Sequence, residues 1–430
     1  MGMKTRRSSR ASIMDLPELI IVEILLHLSI KGIVMCKSVC KTWHHLISSP
    51  HFAKLHFAHA KACILVRPSD VGRISRMLYF IEPSEINVIE SGHEVNIKLD
   101  TKLKIPLHNV DAQVSAFCEG NTKRKRTIEL DPKNHKIIIV NSCNGFLCLS
   151  QPPHNNPTIV CNPVTNEYIE LPAARNADQS MVDCGFGFCQ ETNQYKVLRV
   201  LNPGKNQHAN RVVEIHTLGT KSWRSIGFAP SFRCITSPTY LNGVLHWISG
   251  GCSGTDLVLS FEFSSECFSS LPQPPISRPS RICMGIIGDC LCLSATSGGD
   301  LIDIWVMKSC GVQKSWSKLI SIDIPTLGRW NSFYFQLISS CGKFLIFLEN
   351  NIIYYDPKRE ELKTLRLHRM GFISEAVVHT PSFISLKDVV TGANTKSIST
   401  GFKVPGDAMS IYLRENRMDG LTFVTHRFEE

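Results

Sequence analysis

The chain has 430 residues, 43% of them hydrophobic and 20% charged, enough apolar material for two or three packed domains and too much for a wholly disordered polypeptide. Lys and Arg total 47 against 37 acids, a formal charge of +10. Lys4, Arg6, Arg7, Arg10 and the run Lys123, Arg124, Lys125, Arg126 hold most of that excess, so the remainder is nearly neutral and a general nucleic-acid groove is not expected.

Each basic run reads either as a nuclear import signal or as a solvated segment. The most apolar stretch, Leu19 to Leu28, is too short for a membrane span and is broken by Glu23 and His27. Met1–Arg10 is basic with no apolar core behind it, so no secretory leader is expected. Seventeen cysteines form no Cys-x-x-Cys pair and no glycosylation sequon accompanies them. Most sit in apolar runs, such as Cys148 between Leu147 and Leu149, as small core residues of a reducing compartment. The expectation is a soluble protein of the nucleus, the cytoplasm or both.

Residues 1–12 are expected to be a disordered basic tail, and residues 13–60 a small helical domain. Leu16, Ile20, Ile24 and Leu28 fall at i, i+4 spacing, with Leu19 and Val22 beside them. Asp15 and Glu18 have capping-box spacing and Pro17 suits a first turn. Ser29–Gly32 breaks that helix; Ile33–Cys40 and Trp43–Ser48 read as two more, with Pro50 ending the last. So small a set buries its apolar face poorly, which implies a covering partner.

From residue 61 to about 390 the pattern is strand-like, with short β-branched and aromatic runs between Asn-Pro, Gly and Ser turns. It also repeats. Asn162-Pro163 leads to Tyr168 and Leu171-Pro172, Thr217 to Trp223 and Ile226, Glu262 to Phe268 and Leu271-Pro272, and Asp356-Pro357 to Leu362 and Leu365. With Trp316 included, the bulky residues are 55, 45, 48 and 46 apart, a β-propeller blade period. Five units lie between Val140 and Leu367. Pooling Ala62–Val66, Leu78–Ile81 and Val95–Leu107 with Ala376–Leu386 would make a sixth and close the ring. Residues 391–430 are expected to be a poorly ordered tail.

Leu16 to His56, with its Leu-Pro start, Glu23-Ile24-Leu25, Val39-Cys40-Lys41-x-Trp43 and Ser48–Phe52, resembles the F-box. "SCNGFLCLS" from Ser142, "CNPVTNEYIELP" from Cys161, "GFGFCQETNQYKVLRV" from Gly185 and "DIWVMKSCGVQKSWSKL" from Asp303 resemble the F-box-associated, kelch-like repeat region of plant proteins. Departures are Ser29, where the family usually has Pro and a looser loop is expected, and Ile33–Met35, which lacks the usual Leu and Arg. The resemblance implies an all-α F-box followed by an all-β, propeller-like domain of about six blades. It further implies a non-catalytic substrate receptor of a Skp–cullin–F-box ubiquitin ligase. The F-box would bind a Skp-type adaptor, and through it a cullin, while the β-domain holds a protein substrate. Anchors for the adaptor would be Leu16, Pro17, Leu19, Ile20, Ile24, Leu25, Leu28, Val39, Cys40 and Trp43. For any one of them the alternative is a place in the internal core of the F-box.

Other chemistry finds little support. His56-x-x-His59-x-x-x-Cys63 has the spacing of metal ligands but no second paired motif, so no metal or cofactor is expected. Gly250–Gly254 lacks the Lys-Ser/Thr of a phosphate loop, Gly185-x-Gly187 has no third glycine, and no G-x-S-x-G elbow occurs. Tyr168, Trp223, Phe268 and Trp316 read as blade packing. A propeller enzyme, a scaffold unrelated to ubiquitination and a nucleic-acid binder remain the alternatives. Substrate recognition is assigned to the polar connections Asn202–Asn210, Ser249–Thr255 and Ala295–Asp300, with Lys205, Arg211 and Asp300 as charges that could steer a partner.

Overall fold

A computed structural model describes residues 16–69, 77–82, 95–97, 102–104, 138–151, 156–172, 182–201, 211–230, 237–249, 257–272, 274–276, 281–296, 300–309, 315–324, 336–340, 342–348, 351–367 and 372–390. Both basic runs and residues 391–430 lie outside them. Four helices come first: α1 (Glu18–Leu26), α2 (Ile30–Cys36), α3 (Lys41–Ile47) and α4 (Pro50–His59). Pro17 stands at the N-cap of α1, and Asp15, the other half of the expected capping box, lies outside the described residues. Pro50 does not end a helix; it begins α4, where its missing N–H costs nothing and Ser49 Oγ accepts from Phe52 N at 3.1 Å.

The strands form six sheets arranged as propeller blades. The first blade is β5 (Ile138–Cys143), β6 (Phe146–Gln151), β7 (Asn156–Asn162) and β8 (Glu167–Glu170). The second is β9 (Val182–Cys189), β10 (Gln194–Leu201), β11 (Arg211–Thr217) and β12 (Arg224–Ala229). The third is β13 (Thr239–Leu241), β14 (Val244–Ser249), β15 (Leu257–Glu262) and β16 (Cys267–Leu271). The fourth is β17 (Arg281–Ile287), β18 (Cys290–Thr296), β19 (Leu301–Met307) and β20 (Trp316–Asp323). The fifth is β21 (Gln336–Ser340), β22 (Lys343–Leu348), β23 (Asn351–Asp356) and β24 (Glu361–Leu367).

The sixth blade is shared between the chain's two ends, as the pooling of leftover strands requires. β25 (Phe372–His379) pairs antiparallel with β1 (Cys63–Ser69), which pairs with β2 (Met77–Ile81), which pairs with β4 (Lys102–Lys104). Two details differ from expectation. β3 (Val95–Ile97) adds in parallel to β24, outside the fifth blade. The strand expected to reach Leu386 stops at His379, and Leu386 opens the short helix α5 (Leu386–Val390).

The repeat frame has a local cause. Asn166, Glu266 and Glu360 occupy the same offset after Asn162, Glu262 and Asp356, and all three adopt left-handed φ of 59°, 55° and 51°. Asn162 Oδ1 accepts from Val164 N at 2.9 Å, and Asp356 Oδ1 accepts from Lys358 N at 2.9 Å, so an Asn or Asp side chain folds the turn onto itself. The aromatic residues then join blades: Trp223 Nε1 donates to Pro172 O at 2.8 Å, and Trp316 Nε1 to Pro272 O at 2.7 Å. Apolar cores fill the spaces between consecutive blades, one of them uniting Phe146, Phe186 and Val197.

The first blade's first-to-second and third-to-fourth turns lie at the end where β25 finishes, Gly145 close to Ser382 and Asn162 Nδ2 donating to Ser382 O at 3.0 Å. The helices enter the propeller at that same end. In each antiparallel blade the second strand ends, and the third begins, at the opposite end; residues 202–210, 250–256 and 297–299, which follow those second strands, lie outside the described residues.

Candidate functional site

The segment of α1, Glu-Leu-Ile-Ile-Val-Glu-Ile-Leu-Leu, is apolar around most of its circumference, so packing one face inward leaves apolar side chains outside. Ile21, Val22 and Leu25 turn inward, and α1 packs on α4. Leu16, Leu19, Ile20, Ile24 and Leu28 stay exposed, Leu19 at 79%. Met35 on α2 and Val39 after it are exposed as well. Among the described residues, seven of the ten exposed large apolar side chains fall between Leu16 and Val39. Covering each would contribute on the order of 1–2 kcal/mol, and a concentration of this kind marks an interaction surface.

The sequence-derived anchors therefore divide. Leu16, Pro17, Leu19, Ile20, Ile24, Leu28 and Val39 face outward. Leu25, fully buried, and Trp43 belong instead to the core of the helical domain, with Ile33, Ile47 and Phe52. Cys40, half-buried, caps α3, its Sγ accepting from Trp43 N at 3.5 Å. Met35 was not among the anchors; it lies off the i, i+4 stripe, and only the packing of Ile33 and Val34 inward turns it out. Ser29 does not loosen its loop. Its φ of −61° is the value a proline would impose, and its Oγ accepts from Gly32 N at 3.1 Å, capping α2.

The suggested metal ligands are not gathered. His56 is buried beside Phe383, His59 is exposed with Nδ1 2.8 Å from Leu55 O, and Cys63 donates from β1 to His379 O at 3.1 Å.

At the far end of the propeller, Arg211 corrects its assignment as a steering charge. It is the first residue of β11, buried at 8% exposure, and its guanidinium is ion-paired with Asp183 of β9. A buried charge already paired with a half-buried carboxylate has little left to offer a visitor. Asp300 is half-buried and its carbonyl accepts from Ile324 N at 2.8 Å, fastening the ends of β19 and β20. Lys205 and Asn202–Asn210 lie outside the described residues. Ser249, Ala295 and Thr296, placed in loops by the sequence reading, are buried ends of strands β14 and β18.

Comparison with known proteins agrees with this architecture. Residues 95–382 match the F-box associated beta propeller domain, and residues 13–55 match the F-box domain. The chain is 28% identical over 412 residues to the F-box protein At3g07870 of Arabidopsis thaliana, covering 85% of this chain and 90% of that protein. It is 26% identical over 321 residues to the F-box/kelch-repeat protein At3g23880 of the same plant, covering 72% and 79%. A third relative there, the F-box protein CPR1, is 23% identical over 390 residues, covering 82% and 84%. With more than half of its length matched to the propeller and the helices before it matched to the F-box, the chain belongs to the F-box-associated β-propeller family.

Proposed function

We propose that this protein is the substrate-receptor subunit of a Skp–cullin–F-box ubiquitin ligase, working in the nucleus, the cytoplasm or both. The observation that carries the reading is the unpartnered apolar surface from Leu16 to Val39 on a domain matched to the F-box. A Skp-type adaptor would lay a groove over that surface and link it to a cullin. The opposite end of the propeller, where the second-to-third strand connections leave, would hold the protein to be modified. The receptor's contribution to rate is proximity: it raises the local concentration of substrate lysines beside the transfer machinery and performs no chemistry itself.

Leu19→Asp tests the reading. The side chain is mostly exposed in the free chain, so a carboxylate there leaves the fold intact but would be buried unpaired under a partner. Co-purification with a Skp-type adaptor should fall at least a hundredfold while the thermal melt is unchanged. Full adaptor binding by the folded variant would refute the proposal.

A further inference from the structure

Residues 380–390, which follow the closing strand β25, touch both the helical domain and the propeller. The buried ring of Phe383 stands edge-on to His56 of α4, centroids 4.8 Å apart, and 6.0 Å from Phe52. Lys37 Nζ, at the end of α2, lies 5.7 Å from the same ring. On the propeller side, Asn162 Nδ2 donates to Ser382 O at 3.0 Å and to Ile384 O at 2.8 Å. The Glu167 carboxylate accepts from Ser385 Oγ at 2.8 Å and Leu386 N at 2.9 Å, and Leu386 is fully buried in the core between the first two blades.

A second fastening lies at the other end of α2. Ile30 N, one of the N–H groups that a helix start leaves without an intrahelical partner, donates to Glu82 Oε1 at 3.0 Å, directly after β2. Burial pushes the Glu82 carboxyl up, the Lys37 amine down and the His56 imidazole down to about 4, as expected of groups withdrawn from water. With the covalent link at residues 60–63, the helical domain is held at three places. A single link would let it swivel; three resist it.

We propose that the segment 380–390, with Phe383 as its anchor, is a positioning device that fixes the outward apolar face of the F-box relative to the substrate end of the propeller. This rests on the reading of that face as the adaptor site. A receptor held this way offers the transfer machinery a fixed zone of lysines, whereas a swivelling one would sweep a wide zone, so Phe383 governs which lysines are modified without touching adaptor or substrate. The strand that closes the ring and the segment that orients the F-box are then one continuous piece of chain.

The test uses the full chain bound to its adaptor, as wild type, Phe383→Ala and the conservative Phe383→Leu. Phe383→Ala should change adaptor affinity less than threefold, raise amide exchange in α4 at least tenfold and widen the set of receptor lysines modified in a reconstituted ligase. Phe383→Leu should restore most of the wild-type pattern. An unchanged lysine set, or unchanged exchange in α4, in folded Phe383→Ala would overturn the proposal. The wild type provides a second check independent of how the variants fold: α4 should lose protection together with β25 on heating, and its loss well before β25 would also overturn it. Failure of the wild type to bind the adaptor would instead defeat the underlying reading, and the exchange data would still report the coupling.

Discussion

Gly187 lies in β9, where an added Cβ would come within 2.1 Å of Phe263 Cε2 on the neighbouring blade; at Gly185 it would come within 2.5 Å of Leu245 Cδ1. Gly-x-Gly here is therefore an inter-blade packing device, and the ring of Phe263 fills the room that a side chain would take. Gly187→Ala should destabilise the propeller by about 1–3 kcal/mol, the usual cost of overpacking, and an unchanged urea midpoint would disprove the packing account. Trp223 combines several roles at one residue: its Nε1 bonds to Pro172 O, and Arg199, paired with Glu214, lies 4.1 Å from its ring. Trp223→Phe retains much of the ring and loses the bond, so about 1 kcal/mol should go with it.

At the scale of the element, α1 shows how one helix serves two surfaces. Ile24 and Leu25 are neighbours in sequence, yet Ile24 is 38% exposed and Leu25 is fully buried. Ile24→Asp should leave the helical domain folded and abolish adaptor binding. Leu25→Asp puts an unpaired carboxylate into the core and should unfold the domain, visible as lost helical circular dichroism. Equal behaviour of the two variants in the fold measurement would contradict the orientation of α1.

For the whole molecule, closure is the dominant fact. β25 supplies the first strand of the sixth blade and leads directly into the segment that meets α4. Ending the chain after Gly371 removes both, so the product should expose sheet edges and aggregate. Removing only residues 391–430 takes away no described strand and should leave the melt unchanged. A soluble, cooperatively melting product ending at Gly371 would refute ring closure by β25.

Stability should also depend on pH through four buried histidines, His56, His216, His246 and His379, each lowered by burial. Burial lowers His56 and His246 to about 4 and His379 to about 3. The unfolded chain, with histidines near about 6.5, then binds more protons than the folded one between that value and the depressed ones. Stability is therefore fully present above about pH 6.5 and declines on acidification, by at most about 1.4 kcal/mol per pH unit for each histidine. A urea midpoint that does not fall from pH 7.5 to 5 would exclude neutral burial of these side chains.

The sequence by itself determined the helical start, the repeat frame and the closing of the ring by the two chain ends. The first two rest on interactions between near neighbours: Asn162 and Asp356 fold turns onto their own backbone, and the recurrence of such turns counts the blades, which leaves the strands at either end of the repeats to pair with each other. The spacing of Leu16, Ile20, Ile24 and Leu28 likewise revealed a continuous apolar stripe. Only the tertiary structure decided that this stripe faces outward while Leu25 and Trp43 face inward, because a helix apolar on nearly all sides carries no internal record of which side its neighbours will cover. The same holds for Arg211, whose partner Asp183 is brought to it by sheet pairing, and for Phe383, which meets His56 across more than three hundred residues of chain. Burial depends on what the rest of the chain brings alongside, and no local pattern encodes that.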